Sequence, residues 1–266
     1  MYTVVERKDA LEKLIEIISS MPNVEGCLLV GSGAIGFTDE WSDIDVSVVV
    51  YPEENTRAVW NELNKKILDS FSIYKYLLNE YGINNYITVI LLKNFLEIDV
   101  GVISLNNLSA KREYWKVLFD KSSRVADKMK NTWENRKYPV LSTEIEQSLN
   151  SFWYNFKNAA FAIKRNKSYR AVKELEEIRN EIIRLKAIQE DKISKHYRDV
   201  DEMESWFIKR LENTFFGEID IASLTNCFVS LLDLYFEVVK DMYRNCEVNE
   251  YEAQLRDFLY ELGIMN

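Results

Sequence analysis

The 266-residue chain has little of either helix-breaking residue: 8 glycines and 3 prolines, about 4% together against roughly 12% in average usage. That excludes a collagen-like or Gly/Ser-linker protein and predicts a helix-rich fold. Histidine occurs once, at His196. No multi-histidine metal site can form, and any Ser-His-Asp relay has to run through that one residue. The three cysteines, Cys27, Cys227 and Cys246, lie far apart and lack zinc-site spacing, and their odd number suits free thiols in a reducing cytosol. No stretch approaches 18 uncharged apolar residues, so no membrane span is expected. The opening MYTVVERKDALEKLI carries charges where a signal peptide is apolar, and the expected location is the cytoplasm. Positive charge is also short: 34 basic against 43 acidic side chains, net −9, with a pI near 5.0. That disfavours a stable nucleic-acid partner and suits a cationic or small neutral substrate.

What is present is apolar content, 47% with 13% aromatic, enough for a sizeable core. Residues 4–20 space their apolar positions by three and four, predicting an amphipathic helix that ends at Met21-Pro22. Residues 24–30 form a short apolar run, a buried strand, that stops at Gly31. Residues 43–50 alternate polar and β-branched side chains, a second strand with two distinct faces. A helix is expected over about 54–69, strands over 86–92 and 95–103 joined by Lys93-Asn94 as a hairpin, and a fifth strand over 115–119. From about Pro139 the pattern changes: segments 142–165, 169–191, 203–213, 221–244 and 249–262 all read as helices. The expected class is α+β: a catalytic domain over residues 1–138 with a mixed sheet of about five strands flanked by helices, then an all-α bundle over 139–266.

Two chemistries compete for Gly31-Ser-Gly-Ala-Ile-Gly36. The Gly31, Gly33, Gly36 spacing matches a dinucleotide-binding fingerprint, with Glu53 or Glu54 about 20 residues on. A parallel crossover needs a dozen or more residues, whereas only Phe37 to Ser42 precede the next strand. The other reading takes Gly31-Ser32 as a strand-end turn that offers N–H groups and a hydroxyl to a phosphate. On the following strand Asp43 and Asp45 are two residues apart, so their carboxylates share a side. Two such carboxylates can hold Mg²⁺ ions about 3.5–4 Å apart, as in-line phosphoryl or nucleotidyl transfer requires. A third acid comes from Leu96 to Ile103, where Glu97 and Asp99 share one face and Gly101 leaves room beside them. Asp99 is preferred, as cation ligand or as acceptor of a hydroxyl proton, with Glu97 second. Alone, an Asp-x-Asp pair reads as the solvated face of a strand. Three like charges across adjacent strands, after a Gly-Ser turn, need a cation to offset their repulsion.

Gly31-Ser32, Trp41-Ser42-Asp43-Ile44-Asp45 and Glu97-Ile98-Asp99 together resemble the nucleotidyltransferase superfamily of polymerase beta type. The match covers about residues 24–103. The helical half resembles, in architecture only, that of the antibiotic nucleotidyltransferases that modify aminoglycosides or lincosamides. The resemblance implies Mg²⁺ on Asp43, Asp45 and Asp99, and a nucleoside triphosphate, with ATP expected, held by Gly31, Ser32 and Ser42. It implies transfer of a nucleoside monophosphate to a small-molecule hydroxyl with release of pyrophosphate. Gly33 departs from the family pattern by widening the turn. Alternatives are transfer to a protein or RNA, as in toxin-antitoxin pairs, or a silent nucleotide-binding module.

Residues 141–266 hold 17 basic and 23 acidic side chains, a balance that would attract a cationic acceptor. The aromatic segment 151–165 offers Lys157, and with it Lys164 and Lys173, as candidates to reach the triphosphate; Lys157 is the expected nucleotide contact. The aromatics themselves read as core, and could also support a homodimer. His196 reads as a surface or hinge residue, and Trp41 as a structural wedge.

Overall fold

The computed structural model describes residues 1–243 and 246–265. The chain divides into two compact units, Met1–Lys137 and Tyr138–Asn266.

The first unit opens with α1 (Val4–Ser19), started by a reciprocal capping box in which Thr3 Oγ1 accepts from Glu6 N–H and the Glu6 carboxylate accepts from Thr3 N–H. There follow β1 (Val24–Leu29), β2 (Ile44–Val50), α2 (Thr56–Ser70), β3 (Ile73–Glu80), β4 (Asn85–Leu92), β5 (Glu97–Ser104), β6 (Lys116–Asp120) and α3 (Arg124–Glu134). The sheet runs β3-β4-β5-β2-β1-β6, with β2 and β5 parallel and every other pair antiparallel. It is the expected mixed sheet, with one strand more than the sequence showed. The addition is β3, whose apolar residues point both ways along Ile-Tyr-Lys-Tyr-Leu-Leu-Asn-Glu and leave no alternation to read. α3 was equally silent, because only Val125 and Met129 of its eleven residues are buried.

The two sheet faces have different fates. On one, Ile44, Val46, Val48 and Val50 of β2 and Ile98, Val100 and Val102 of β5 are buried under α1 and α2, packed with Leu14, Ile18, Val59, Leu63 and Ile67. α2 is pinned to β4 by polar contacts inside this layer: Trp60 Nε1 donates to Thr88 Oγ1 (2.8 Å), which donates to Asn64 Oδ1 (2.7 Å). On the other face α3 and residues 105–110 cover only Leu28 and Val49 with their neighbours. The odd-numbered residues of β2 and β5 nearer the strand starts, Asp45, Ser47, Glu97, Asp99 and Gly101, are left at least partly open.

The second unit is helical: α4 (Leu141–Lys164), α5 (Ser168–Gln189), α6 (Ser205–Glu212), α7 (Ile221–Met242) and α8 (Cys246–Glu261). α7 is long and apolar enough, by length and composition alone, to cross a membrane. Ten of its residues, including Phe228, Tyr235 and Phe236, are buried inside the unit, so its apolar character builds the core. Phe152 of α4 stacks on Tyr235 with ring centroids 3.6 Å apart. Two cations are completely buried and paired, Arg179 with Thr214 and Glu176, and Lys186 with Gln189, Glu190 and Glu204. Cys27 and Cys227 are free and buried, and burial pushes the Cys27 thiol up to about 12. The Cys246 thiol lies outside the described residues.

Candidate active site

β1 ends where Val30 N–H donates to the Asp45 carbonyl (3.0 Å), which fixes the exit of β1 against the start of β2. The chain then enters a 3₁₀ turn, Gly31–Ile35, closed by Gly36 in a left-handed conformation and by Phe37 N–H donating to the Ser32 carbonyl (2.9 Å). Gly31 has φ +60°, and a β-carbon there would sit 2.2 Å from Asp45 Oδ2. Only glycine fits, because both the backbone geometry and the carboxylate exclude a side chain. A β-carbon on Gly33 would meet the Leu29 side chain at 2.9 Å. The widened turn is thus a packed feature, with Gly33 seated on the last residue of β1. The Ser32 hydroxyl is buried and has no hydrogen-bond partner among the described residues.

From Phe37 the chain returns to β2 through a loop that α1 clamps. The Arg7 guanidinium is 4.3 Å above the Phe37 ring, and Nη1 donates to the carbonyls of Asp39 (3.0 Å) and Ser42 (2.8 Å). The Asp39 carboxylate accepts from Trp41 N–H and from the Ser42 hydroxyl, both at 2.9 Å. Ser42 is buried, with its hydroxyl engaged in bracing the loop just before Asp43. Trp41, expected as a wedge, instead projects its side chain outward at 62% exposure. Sequence reasoning missed Arg7 and Asp39. The signal was there for Arg7: it shares the buried stripe of α1 with Ala10, Leu14 and Ile18, where an apolar residue belongs.

Asp43 stands at the entry to β2 and Asp45 is the second residue of that strand, so both carboxylates lie on one side. The parallel pairing of β2 with β5 sets Asp45 directly beside Asp99, followed by Ser47 beside Gly101. Neighbouring strands are about 4.8 Å apart, so two acids at one register position face each other at close range. Burial pushes the Asp99 carboxyl up to about 7, helped by the negative charges of Asp45, Glu97 and Asp43 in that order. Its Oδ1 is buried without a partner among the described residues. Glu97 lies two residues earlier on the same face and is exposed.

This donor set fits a hard divalent cation such as Mg²⁺. All the ligands offered are carboxylate oxygens, one is orphaned, and the repulsion that adds to the effect of burial on Asp99 is what a dication would remove. Among the described residues no three His, Cys, Asp or Glu side chains already gather into a complete cage. Mg²⁺ is ordinarily held by one or two carboxylates together with substrate phosphates and water.

Residues 11–210 match the model of a nucleotidyltransferase domain. The chain belongs to the nucleotidyltransferase family. It is a transferase enzyme, as the Gly-Ser turn and the acid pair implied. No curated protein matches its sequence. Among solved structures, this nucleotidyltransferase is similar to an aminoglycoside 6-adenyltransferase from Bacillus subtilis, at 15% identity over 96% of this chain and 98% of that one, with a TM-score of 0.45. It is also similar to a nucleotidyltransferase-like protein from Exiguobacterium sibiricum 255-15, at 12% identity over 96% and 91%, TM-score 0.41. A STING-associated CdnE c-di-GMP synthase from Capnocytophaga granulosa matches at 15% identity over 97% and 79%, TM-score 0.32.

Two of the basic candidates have close neighbours within the helical unit. The Lys157 ammonium lies 5.1 Å from the Trp153 ring centroid and 6.0 Å from that of Tyr154. Lys173 pairs with Glu177 at 3.6 Å. In the aromatic segment, Phe152 and Phe156 are core as expected, while Trp153 and Tyr154 are exposed. His196 is exposed in a short turn with φ +57°.

Proposed function

We propose that this enzyme moves AMP from ATP, with Mg²⁺, onto a hydroxyl of a small cationic acceptor of the aminoglycoside or lincosamide class, releasing pyrophosphate. The acceptor oxygen bonds to the α-phosphorus, the bond from that phosphorus to the α,β-bridging oxygen breaks, and its electron pair leaves with pyrophosphate. In this reading Asp43 and Asp45 hold the cation while Gly31 and Ser32 contact the β- and γ-phosphates. Asp99 completes the cation site or receives the hydroxyl proton, with Glu97 next to it as the alternative. When bound, Mg²⁺ supplies neutralisation of the charge that builds on the phosphate oxygens.

The observation that carries the reading is the register of Asp45 beside Asp99, with Gly31 pressed against Asp45 and an unpartnered Ser32 hydroxyl in the same turn. Backbone approach, a free donor and paired acids are what a triphosphate with its cation requires. The cationic acceptor is supported by the excess of 23 acidic over 17 basic side chains in residues 141–266. The test is pyrophosphate release with ATP and other nucleoside triphosphates across aminoglycosides, lincosamides and simple polyols. Asp45→Asn is expected to abolish release while the circular dichroism stays that of the parent. Full turnover by that variant would sink the proposal, and release only with protein or RNA acceptors would overturn the acceptor class.

A further inference from the structure

β3 is an edge strand that nothing within the described residues of its own unit caps, and its surface is unusually apolar for an edge. Tyr74, Tyr76, Leu77, Leu78 and Tyr81 are 47–64% exposed, on both faces at once, and Phe95 is 62% exposed with its ring 6.2 Å from that of Tyr74. The opposite edge, β6, is five residues long, begins at Lys116 and ends at Asp120, and is flanked by α3. Edges of β6 type are blunted by shortness and charge, whereas a long apolar edge invites another strand. β3 has no proline, and of its two charged residues Glu80 is already paired with Arg57.

We propose that β3 is a homodimer interface, in which a second copy of the chain adds its own β3 antiparallel across a two-fold axis at Leu77. The backbone sets the phase. Tyr81 N–H donates to the Asn85 carbonyl, so the alternation of an antiparallel ladder turns Asn79, Leu77 and Lys75 toward β4. Tyr76, Leu78 and Glu80 then direct their N–H and C=O groups to the free edge. A two-fold axis perpendicular to the sheet keeps equivalent faces together, and it must bring outward groups against outward groups. Centring on Leu77 satisfies both conditions, setting Tyr76 opposite Leu78 of the second copy.

Side-chain chemistry favours this register over one centred on Tyr76. The β-bulge between Ile73 and Lys75 ends the regular edge at Lys75; from there on, with Leu77 at the axis, Lys75 meets Asn79, Leu77 meets Leu77 and Tyr76 meets Leu78. Shifting the axis to Tyr76 sets Lys75 against Leu77, wasting the polar group. The main-chain ladder alone falls short of the roughly 800 Å² per partner of a stable interface. The exposed Tyr and Leu side chains of β3, with Leu68 of α2 (40% exposed) beside Tyr76 and Leu78 around a small cavity, extend the apolar surface along one side.

The test uses the full chain. Sedimentation velocity over a wide concentration range is expected to show a dimer, and Leu77→Lys, which sets two like charges against each other at the axis, to give monomer. Leu77→Cys tests the register directly. At a non-hydrogen-bonded pair the α-carbons are about 4.5 Å apart, within disulfide range. Mild oxidation should therefore link Leu77→Cys to itself, whereas Tyr76→Cys and Leu78→Cys alone should remain uncrosslinked. Wild-type chain under the same oxidation controls for Cys246, and circular dichroism confirms folding of each variant, all at exposed positions. A monomer at every concentration overturns the proposal, as does a dimer that survives Leu77→Lys or fails to crosslink through Leu77→Cys.

Discussion

Gly31 lies so close to Asp45 that a β-carbon on it would overlap the carboxylate, 2.2 Å from Oδ2. Gly31→Ala is therefore expected to displace Asp45 or deform the turn. Displacing a reacting group by about 1 Å can cost on the order of 100-fold in rate, and the positive φ adds roughly 1–2 kcal/mol of strain. Gly36→Ala is the control. Its φ is +101°, but a β-carbon there meets nothing within 4 Å, so it should lose stability without a comparable loss of turnover. Pyrophosphate release and thermal unfolding of both variants check the pair, and equal activity losses would refute the special role of Gly31.

The Arg7 clamp predicts a different separation of effects. Arg7→Met retains an apolar stem on the buried stripe of α1 but removes the donors to the Asp39 and Ser42 carbonyls. The Ser42 carbonyl keeps the Tyr2 hydroxyl as a donor at 3.1 Å, so losing the Arg7 hydrogen bonds should cost about 1 kcal/mol. Because the loop carries the chain into Asp43, kcat should fall even at temperatures where the variant is fully folded. Arg7→Lys should recover part of the stability and less of the rate, since one ammonium cannot reproduce a planar fork that also stacks on Phe37. Steady-state kinetics well below the melting temperature measure the difference.

What was legible in the sequence was what has a period or a motif. β2 and β5 alternate acids with β-branched residues, so their open face and the Asp43, Asp45, Asp99 set could be read before any coordinates. That β2 and β5 lie side by side was expected from the chemistry of the three acids, but the register that sets Asp45 beside Asp99 is a tertiary fact with no local trace. β3 was invisible because a strand exposed on both faces has no apolar side to repeat. Ser42 illustrates the converse. Its place beside Asp43 suggested nucleotide contact, yet its hydroxyl is committed to Asp39, a partner that spacing alone does not reveal.

Thr88 links Trp60 and Asn64 inside the layer beneath the sheet. Thr88→Val keeps the shape and removes both hydrogen bonds, leaving a buried indole N–H and a buried amide oxygen without partners. A loss of about 2 kcal/mol is expected, with little change in turnover, because Thr88 is on the face opposite Asp99. Denaturant unfolding measures it, and a shift below a few tenths of a kcal/mol would mean that water replaces the threonine.

Asp99 gives the pH prediction. Its carboxyl is pushed from the ordinary range up to about 7, so the fold favours the protonated acid over the carboxylate. The stability it contributes without cation is complete below about pH 4 and is lost as pH rises through 7. The carboxyl is only half-buried, so solvent reduces the effect to about 1–2 kcal/mol. Asp99→Asn, which mimics the neutral acid, should leave the low-pH stability nearly unchanged and gain relative to the parent across that window. Mg²⁺ at pH 7.5 should then raise the melting temperature of the parent more than that of the variant, because a dication offsets the repulsion among Asp43, Asp45 and Asp99 that the amide has already relieved in part. Thermal melts of both chains from pH 4 to 8, with and without Mg²⁺, decide it. Parallel pH profiles would show that Asp99 is not held protonated by its burial and the acids around it.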